Sequence, residues 1–256
     1  MSDEKKQSKF PSEIIDLPSK GKLYSEEHPC SSGQIEIKYM TAREEDILTS
    51  QNLIQKGIVL DKLLESLIVS NINQDDILLG DKNAILLAAR VLAYGKEYEF
   101  EYIDTDGETR SNSVDLTSFE SKEVDFKKFT KGVNEHDFQL PTSKKVVTFK
   151  LVTQGDEKAV ESQLKALSKI SPDYVPEITT RLKQQIVAID GNRETSVIND
   201  FVDNQLLSRD SLDFRKYLQE ISPDVKMTCE VRMIDGTDEE MTVPVTARFF
   251  WPDAGI

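Results

Sequence analysis

The chain has 256 residues, of which 38% are hydrophobic and 30% are charged, and its formal net charge is −14 at pH 7. Periodic apolar blocks exclude a wholly disordered chain, and no apolar run approaches the roughly 18 residues that a membrane helix needs. The strong negative charge repels nucleic acid and anionic membranes, so we expect neither as a partner. The opening residues MSDEKKQSKF lack the apolar core of a signal peptide, which predicts a cytoplasmic protein.

Residues 1–33 are predicted to form an extended N-terminal arm. Prolines and glycines interrupt any regular element in IIDLPSKGKLYSEEHPCSSG. The arm nevertheless carries several apolar residues, among them Leu17, Leu23 and Tyr24. Two interpretations stay open: an extended segment pinned to the core by these residues, or an arm that binds a partner. Under the second interpretation Leu17, Leu23 and Tyr24 are candidate partner-binding residues.

Residues 34–118 predict a strand, helices and a first β-ribbon. The segment QIEIKYM alternates apolar and polar residues, as a half-buried strand does. Thr41 and Glu44 have the spacing of a capping box, at the start of a helix that would end at Gly57. The next helix has the i, i+3, i+4, i+7, i+8 pattern at Leu60, Leu63, Leu64, Leu67 and Ile68.

The same part of the chain ends with one more helix and the ribbon. The helix follows Gly80-Asp81 and ends at Gly95. The segments YEFEYID and RSNSVDL flank a turn at Asp106-Gly107 and predict a β-ribbon. The acidic run DTDGE within this turn lacks the ligand spacing of a calcium loop, so we interpret it as a hairpin turn.

The second half of the chain repeats the order of helices followed by a ribbon. Residues 119–153 predict a connecting loop and a strand pair, DFQLP and KKVVTFKLVT. Residues 154–222 predict a helical module, with a first helix broken by SPDYVP and a second from Glu177 to Ala188. Residues 223–256 predict a C-terminal β-ribbon with an aromatic end. The predicted class is α+β: two helical modules, each followed by a small antiparallel β-ribbon, with an extended N-terminal arm.

The aromatic end RFFWPDAGI is unusual, because chain termini are usually polar and frayed. In a structural interpretation, TVPVTARFFW is a closing strand that turns Val243, Val245, Ala247 and Phe249 inward. In a functional interpretation, the end docks into another protein, with Phe250 and Trp251 as anchors. Both interpretations stay open, and Phe250 and Trp251 are the remaining candidate partner-binding residues.

No catalytic, cofactor or metal site is predicted. The residues His28, His136, Cys30 and Cys229 are too scattered for a paired zinc-ligand motif, and no phosphate-binding glycine motif occurs. We therefore expect a protein that is not an enzyme, has no cofactor and carries no zinc when purified. The alternative is a hydrolytic or other enzyme that uses surface carboxylates in a cleft, which predicts a pocket holding two or more acids with perturbed pKa values.

Several long stretches also carry a family resemblance. In the N-terminal part they are DLPSKGKLY, IEIKYMTAREEDILTSQNLIQKG and GDKNAILLAARVLAYGKEY. In the C-terminal part they are FQLPTSKKVVTFKLVTQGDEKAVE, LLSRDSLDFRKYLQEISPDV and FFWP. Together they resemble the baseplate hub and hub-assembly proteins of T4-like bacteriophages, in order along most of the chain. Relatives in this group often carry Cys-x-x-Cys pairs in their ribbons, whereas this chain has only Cys229 there.

The resemblance implies a non-enzymatic role in building the hub of a contractile tail's baseplate. Its implied partners are hub subunits and tape-measure subunits of the phage. The implied location is the cytoplasm of the infected bacterium or the baseplate of the finished tail. The resemblance leaves open whether the protein is a hub component or a transient, chaperone-like assembly factor.

Overall fold

The computed structural model describes residues 11–243 and 245–250, in which helices alternate with small antiparallel sheets. The helices are α1 (Ala42–Thr49), α2 (Gln51–Lys56), α3 (Val59–Leu67), α4 (Leu79–Tyr94), α5 (Gln154–Ile170), α6 (Glu177–Gln185), α7 (Thr195–Asp200) and α8 (Ser208–Ile221). The strands are β1 (Ser12–Asp16), β2 (Gln34–Lys38), β3 (Glu97–Ile103), β4 (Thr109–Asp115), β5 (His136–Gln139), β6 (Val146–Phe149), β7 (Ile186–Ile189), β8 (Thr228–Arg232) and β9 (Asp238–Thr242). The α+β class is confirmed: α1–α4 precede the ribbon β3–β4, and α5–α8 precede the ribbon β8–β9.

The described part of the N-terminal arm, from residue 11, contains a strand that the sequence pattern does not predict. Strand β1 pairs antiparallel with β2, so that Ser12 lies opposite Lys38 and Asp16 opposite Gln34. The chain then loops out and returns, and the Leu17 amide donates to the Gly33 carbonyl at 2.8 Å. The loop between the two strands is therefore closed at its base by a backbone hydrogen bond.

The first helical module begins with the predicted capping box at Thr41 and Glu44. The predicted single helix from Thr41 to Gly57 is wrong, since α1 ends at Thr49 and α2 starts at Gln51. Ser50 separates them because its backbone is extended, with φ −67° and ψ 103°. Gly57 ends α2 in the left-handed conformation, with φ 73°, as predicted.

The middle of the chain forms a three-stranded antiparallel sheet with β6 at its centre, between β5 and β7. The sequence pattern predicts the β5–β6 pair but not β7. The predicted helix to Ala188 is wrong, because α6 ends at Gln185 and Ile186–Ile189 form β7. Ile186 and Ile189 are each 3% exposed, and this apolar run is buried as the third strand of the sheet.

The last described residues, up to Phe250, also differ from the predicted strand. Strand β9 stops at Thr242, and residues Ala247–Phe250 form a 3-10 turn. Phe249 and Phe250 are both buried. Successive residues of a strand point to opposite faces. The 3-10 turn instead lets both rings enter the core of the same chain.

One hydrophobic core joins these parts, from Leu17 in the arm to Phe250 at the other end of the described residues. The close approach of α4 to the chain after α8 shows how tightly the modules pack. A Cβ placed on Gly80 would lie 1.9 Å from the Pro223 carbonyl oxygen, so only glycine fits there. The arm, the helices and the sheets therefore stabilise one another.

Candidate functional site

The three candidate partner-binding residues of the arm point into the core. Leu17, Leu23 and Tyr24 are 3%, 5% and 5% exposed. Their burial argues against a role as an accessible partner-binding surface. A partner cannot contact these side chains while the arm lies in place. The interpretation of an arm pinned to the core agrees with the structure.

A buried carboxylate holds the arm against α4. Asp81 accepts hydrogen bonds from the Ser19 amide at 2.9 Å, the Ser19 hydroxyl at 2.6 Å and the Tyr24 hydroxyl at 2.6 Å. The Tyr24 hydroxyl in turn accepts from the Leu78 amide at 2.9 Å. Burial raises the pKa of Asp81, and burial together with the Asp81 charge raises the pKa of Tyr24. These polar groups satisfy one another inside the core, which gives them a structural role.

The described part of the aromatic end, up to Phe250, packs against the first module. The Arg90 Nε group donates to the Phe249 carbonyl at 2.8 Å, and the Tyr98 and Phe249 rings meet edge to face with centroids 5.0 Å apart. Phe250 is 1% exposed, which corrects its candidate role as an accessible anchor. Trp251, the other candidate at this end, lies outside the described residues.

The two histidines lie in packed surroundings. The Nδ1 atom of His28 accepts from the Cys30 amide at 3.2 Å, and its ring stacks on Tyr24 at 4.5 Å. His136 meets the Phe129 ring edge to face at 4.8 Å. Burial lowers the pKa of both histidines and raises the pKa of the Cys30 thiol to about 12. Within the described residues, no three His, Cys, Asp or Glu side chains are grouped to hold a metal ion.

A cavity of about 670 Å³ opens between α3 and α5 and is lined mainly by charged residues. Its acids have lysine partners: Glu65 pairs with Lys62 at 2.6 Å, and Asp61 pairs with Lys158 at 3.5 Å. Such pairs on an open surface are typical of salt-bridged helices. The cavity gives the alternative of an acid–base enzyme no specific support.

An uncovered apolar face appears instead at the end of α5. The sequence pattern places Val160, Leu164 and Leu167 on one face of this helix. Val160 is buried, Leu164 and Leu167 are half-buried, and Ile170 at the last position is 83% exposed. The apolar face thus continues past the part of α5 that the core covers.

The connection to α6 extends this surface. Tyr174, Val175 and Ile178 are 71%, 38% and 49% exposed. We call the exposed residues Ile170, Tyr174, Val175 and Ile178 the α5–α6 patch. Single exposed hydrophobic residues are normal on a protein surface, but here four large apolar side chains are exposed within nine consecutive residues.

Ion pairs and a hydrogen bond hold the start of α6 in place beside the patch. Arg181 in α6 pairs with Glu157 in α5 at 2.7 Å and with Glu177 at 3.1 Å. The Glu157 and Glu177 carboxylates raise the pKa of Arg181, although burial opposes this shift. The Thr180 hydroxyl donates to the Pro176 carbonyl at 2.7 Å. The start of α6 is therefore fixed against α5, and the patch is presented from a stable support.

Sequence reasoning did not find the α5–α6 patch as a binding surface. The run SPDYVP predicts only a break between two helices. The sequence does contain a signal for this patch. A tyrosine and a valine lie between two prolines, so their apolar side chains belong to a loop between two helices, and loops run over the protein surface. Whether these side chains are covered depends on tertiary packing, and the periodicity of the sequence carries no information about tertiary packing.

Comparisons with protein-family models, curated proteins and solved structures find no match to this chain. None of the helices in the described ranges is long and apolar enough to cross a membrane.

Proposed function

We propose that the chain is a non-enzymatic tail protein of a T4-like bacteriophage that acts in assembly of the baseplate hub. In this role it binds hub or tape-measure subunits as a structural or chaperone-like factor. It acts in the cytoplasm of the infected bacterium, and as a retained component it would also be present in the baseplate. The family assignment rests on the resemblance of the stretches quoted above.

The observation that carries the binding role is the α5–α6 patch. Large apolar side chains exposed close together along the chain are costly in water and are typical of a protein–protein contact. Tyrosine and large aliphatic side chains at the centre of such a contact supply much of its binding free energy. An assembly protein needs a surface of this kind to cover an apolar face of a subunit until the next partner arrives.

The test is co-purification with hub and tape-measure subunits expressed together with the full chain. The double variant Ile170→Asp, Tyr174→Asp places two charges in the patch without disturbing the core. We expect the amount of co-purified subunit to fall by about tenfold or more, since hot-spot residues contribute about 2 kcal/mol or more each.

The matched control is Ile14→Asp, Leu212→Asp, which changes two residues that are 63% and 43% exposed elsewhere on the surface. The control should keep its partner, and both variants should keep the melting temperature of the wild type. Equal loss in the control, or full retention in the patch variant, would count against the proposal. Mass spectrometry of purified virions then separates a retained hub component from a transient factor.

A further inference from the structure

The two halves of the chain contain β-hairpins with the same register. In the hairpin β1–β2 the Leu17 amide donates to the Gly33 carbonyl at 2.8 Å, and in the hairpin β5–β6 the Leu140 amide donates to the Lys145 carbonyl at 2.9 Å. In both hairpins the leucine directly follows the first strand and precedes a proline, and the carbonyl belongs to the residue directly before the second strand. The connecting loops differ in length, but the strands are paired in the same way.

A buried aspartate holds each of these loops at the same position. Asp81 is the third residue of α4, Asp210 is the third residue of α8, and neither has exposed surface. Asp81 Oδ1 accepts from the Ser19 amide at 2.9 Å, and Asp210 Oδ1 accepts from the Thr142 amide at 2.7 Å. Each of these amides lies two residues after the leucine that closes its hairpin, so the two contacts correspond.

The start of the first helix is also the same in both halves. Helices α1 and α5 each begin with a capping box. The acid of the box pairs with a lysine six residues before it: Glu44 with Lys38 at 2.7 Å, and Asp156 with Lys150 at 2.6 Å. The first module with its hairpin and the second module with its hairpin therefore share one structural plan, and their positions can be matched.

The two modules are joined to each other by a short backbone ladder. Leu78, the residue before α4, forms an antiparallel bridge with Thr153, the residue before α5. Two hydrogen bonds flank this bridge, one from the Leu79 amide at 3.0 Å and one from the Gln154 amide at 2.8 Å. Each amide donates to the carbonyl of the residue that precedes the opposite bridge residue. Leu78 is only 4% exposed in this joint.

The matching positions in the other two places are uncovered. Leu207 precedes α8 as Leu78 precedes α4, and it is 48% exposed. Thr41 precedes α1 as Thr153 precedes α5, and it is exposed. The amides directly after Leu207 and Thr41, and the carbonyls directly before them, have no hydrogen-bond partner among the described residues. Each module thus has one edge in the joint and one matching edge that is free to pair.

We propose that the edge before α8 binds the edge before α1 of a second copy of this chain. Leu207 lies opposite Thr41 of the next copy, and the Ser208 and Ala42 amides donate across the contact, as in the joint within the chain. A second copy is the partner because its free edge matches the one that the second module already presents to the first. This contact is separate from the α5–α6 patch and goes beyond the proposed function, because it joins copies of the chain head to tail.

The test removes one donated amide from each edge. Ala42→Pro and Ser208→Pro change the first residue of α1 and of α8, where proline fits a helix. The residue before each is already extended, with ψ 175° at Thr41 and 142° at Leu207, as a following proline requires. Both variants should therefore keep the melting temperature of the wild type.

Sedimentation velocity of the full chain measures the association. Concentrations from about 10 μM to about 1 mM cover the affinity range of weak protein contacts. We expect the average mass of the wild type to rise with concentration beyond that of a dimer, because a head-to-tail contact can repeat. Each proline variant should weaken the association constant about tenfold, because one carbonyl loses its donor. A wild type that stays monomeric throughout would overturn the proposal.

Mixing the two variants separates a head-to-tail contact from a symmetric one. Ala42→Pro keeps an intact edge before α8, and Ser208→Pro keeps an intact edge before α1. An equimolar mixture should therefore form dimers with nearly the wild-type association constant, and nothing larger. A mixture that associates as weakly as each variant alone would count against the head-to-tail arrangement.

The matched control is Thr195→Pro, at the first residue of α7. Thr195 is exposed, and Glu194 before it is extended, with ψ 126°. This variant should associate like the wild type, and equal weakening in it would overturn the proposal. If a proline variant does not fold, Leu207→Asp takes its place, and unchanged association of this variant at an unchanged melting temperature would also overturn it. The chain is tested alone, so no outcome depends on a hub subunit.

Discussion

Glu44 links three elements through its buried carboxylate. The carboxylate accepts a hydrogen bond at 2.7 Å from the Nζ atom of Lys38, the last residue of β2, and one at 2.8 Å from the Thr41 amide. It accepts a third from the hydroxyl of Ser66 in α3. Burial by itself raises the pKa of Glu44, but the hydrogen bonds from Lys38, Ser66 and Thr41 outweigh it and lower the pKa from 4.5 to about 2. The ionised form is thus the one that the fold stabilises.

This shift predicts a pH-dependent effect of Glu44→Gln. The folded-state pKa lies below the unfolded value, so the ionised group stabilises the fold fully above about pH 4.5, and this contribution disappears as the pH falls toward about 2. We expect the variant to lose about 3 kcal/mol of unfolding free energy at pH 7. Urea unfolding at a series of pH values should show the two proteins converging in acid.

The control for this prediction is Glu65→Gln in α3. The Glu65 side chain is 59% exposed and pairs with Lys62 on the surface. Its loss should cost less than about 1 kcal/mol at any pH, as for other exposed pairs. A constant difference between wild type and Glu44→Gln from pH 7 to acid would contradict the role given to ionised Glu44.

Among the elements, α3 follows its sequence pattern closely. Leu63, Leu64 and Leu67 are each fully buried, and Lys62 and Glu65 are exposed. The helix therefore turns one continuous apolar face to the core. Its position between α1 and α4 explains why this face is covered along its length.

Leu64→Asp should prevent soluble folding. Leu64 has no exposed surface, and an unpaired carboxylate at this position costs several kcal/mol, which is comparable to the whole stability of a domain. Soluble yield and the melting temperature measure the effect. Lys62→Asp in the same helix puts the same group on the exposed face and should fold normally. A soluble Leu64→Asp variant with an unchanged melting temperature would show that this face is not essential.

At the scale of the whole molecule, the last described residues close the first module. Arg90 in α4 binds the Phe249 carbonyl, and Tyr98 in β3 contacts the Phe249 ring. Phe250 meets Phe249 edge to face, with ring centroids 5.4 Å apart. Phe249 and Phe250 are thus packed onto residues that precede them by about three fifths of the chain, and the two modules share one core.

Phe250→Ala should therefore destabilise the whole molecule. Removing a buried large aromatic side chain typically costs about 3–5 kcal/mol. The melting temperature and the urea midpoint should both fall, whereas Arg248→Ala, at an exposed neighbour, should leave them nearly unchanged. Unchanged stability of Phe250→Ala would contradict its place in the core.

A second variant tests the remaining docking interpretation. Removing residues 251–256 takes away Trp251 and keeps Phe250. Loss of co-purified hub subunits at unchanged stability would indicate a docking end. Lowered stability would instead place Trp251 with the core residues, and no change in either property would rule out both roles for Trp251.

The sequence by itself determined the features that depend on near neighbours in the chain. The capping box at Thr41 and Glu44, the apolar face of α3 and the turns at Gly107 and Gly236 follow from local propensity, and all occur in the structure. The α+β class follows from the order of these elements. Local rules succeed there because the groups that interact lie within a few residues of one another.

Only the tertiary structure decided which apolar segments are covered and by what. Ile186–Ile189 became a strand because β6 offered an edge beside it, although the segment continues a helical pattern. Leu17, Leu23 and Tyr24 of the arm were buried in the core, whereas the apolar side chains of the α5–α6 patch were left in solvent. Similar side chains thus have opposite exposure, because burial depends on contacts between residues far apart in sequence, and local periodicity carries no information about them.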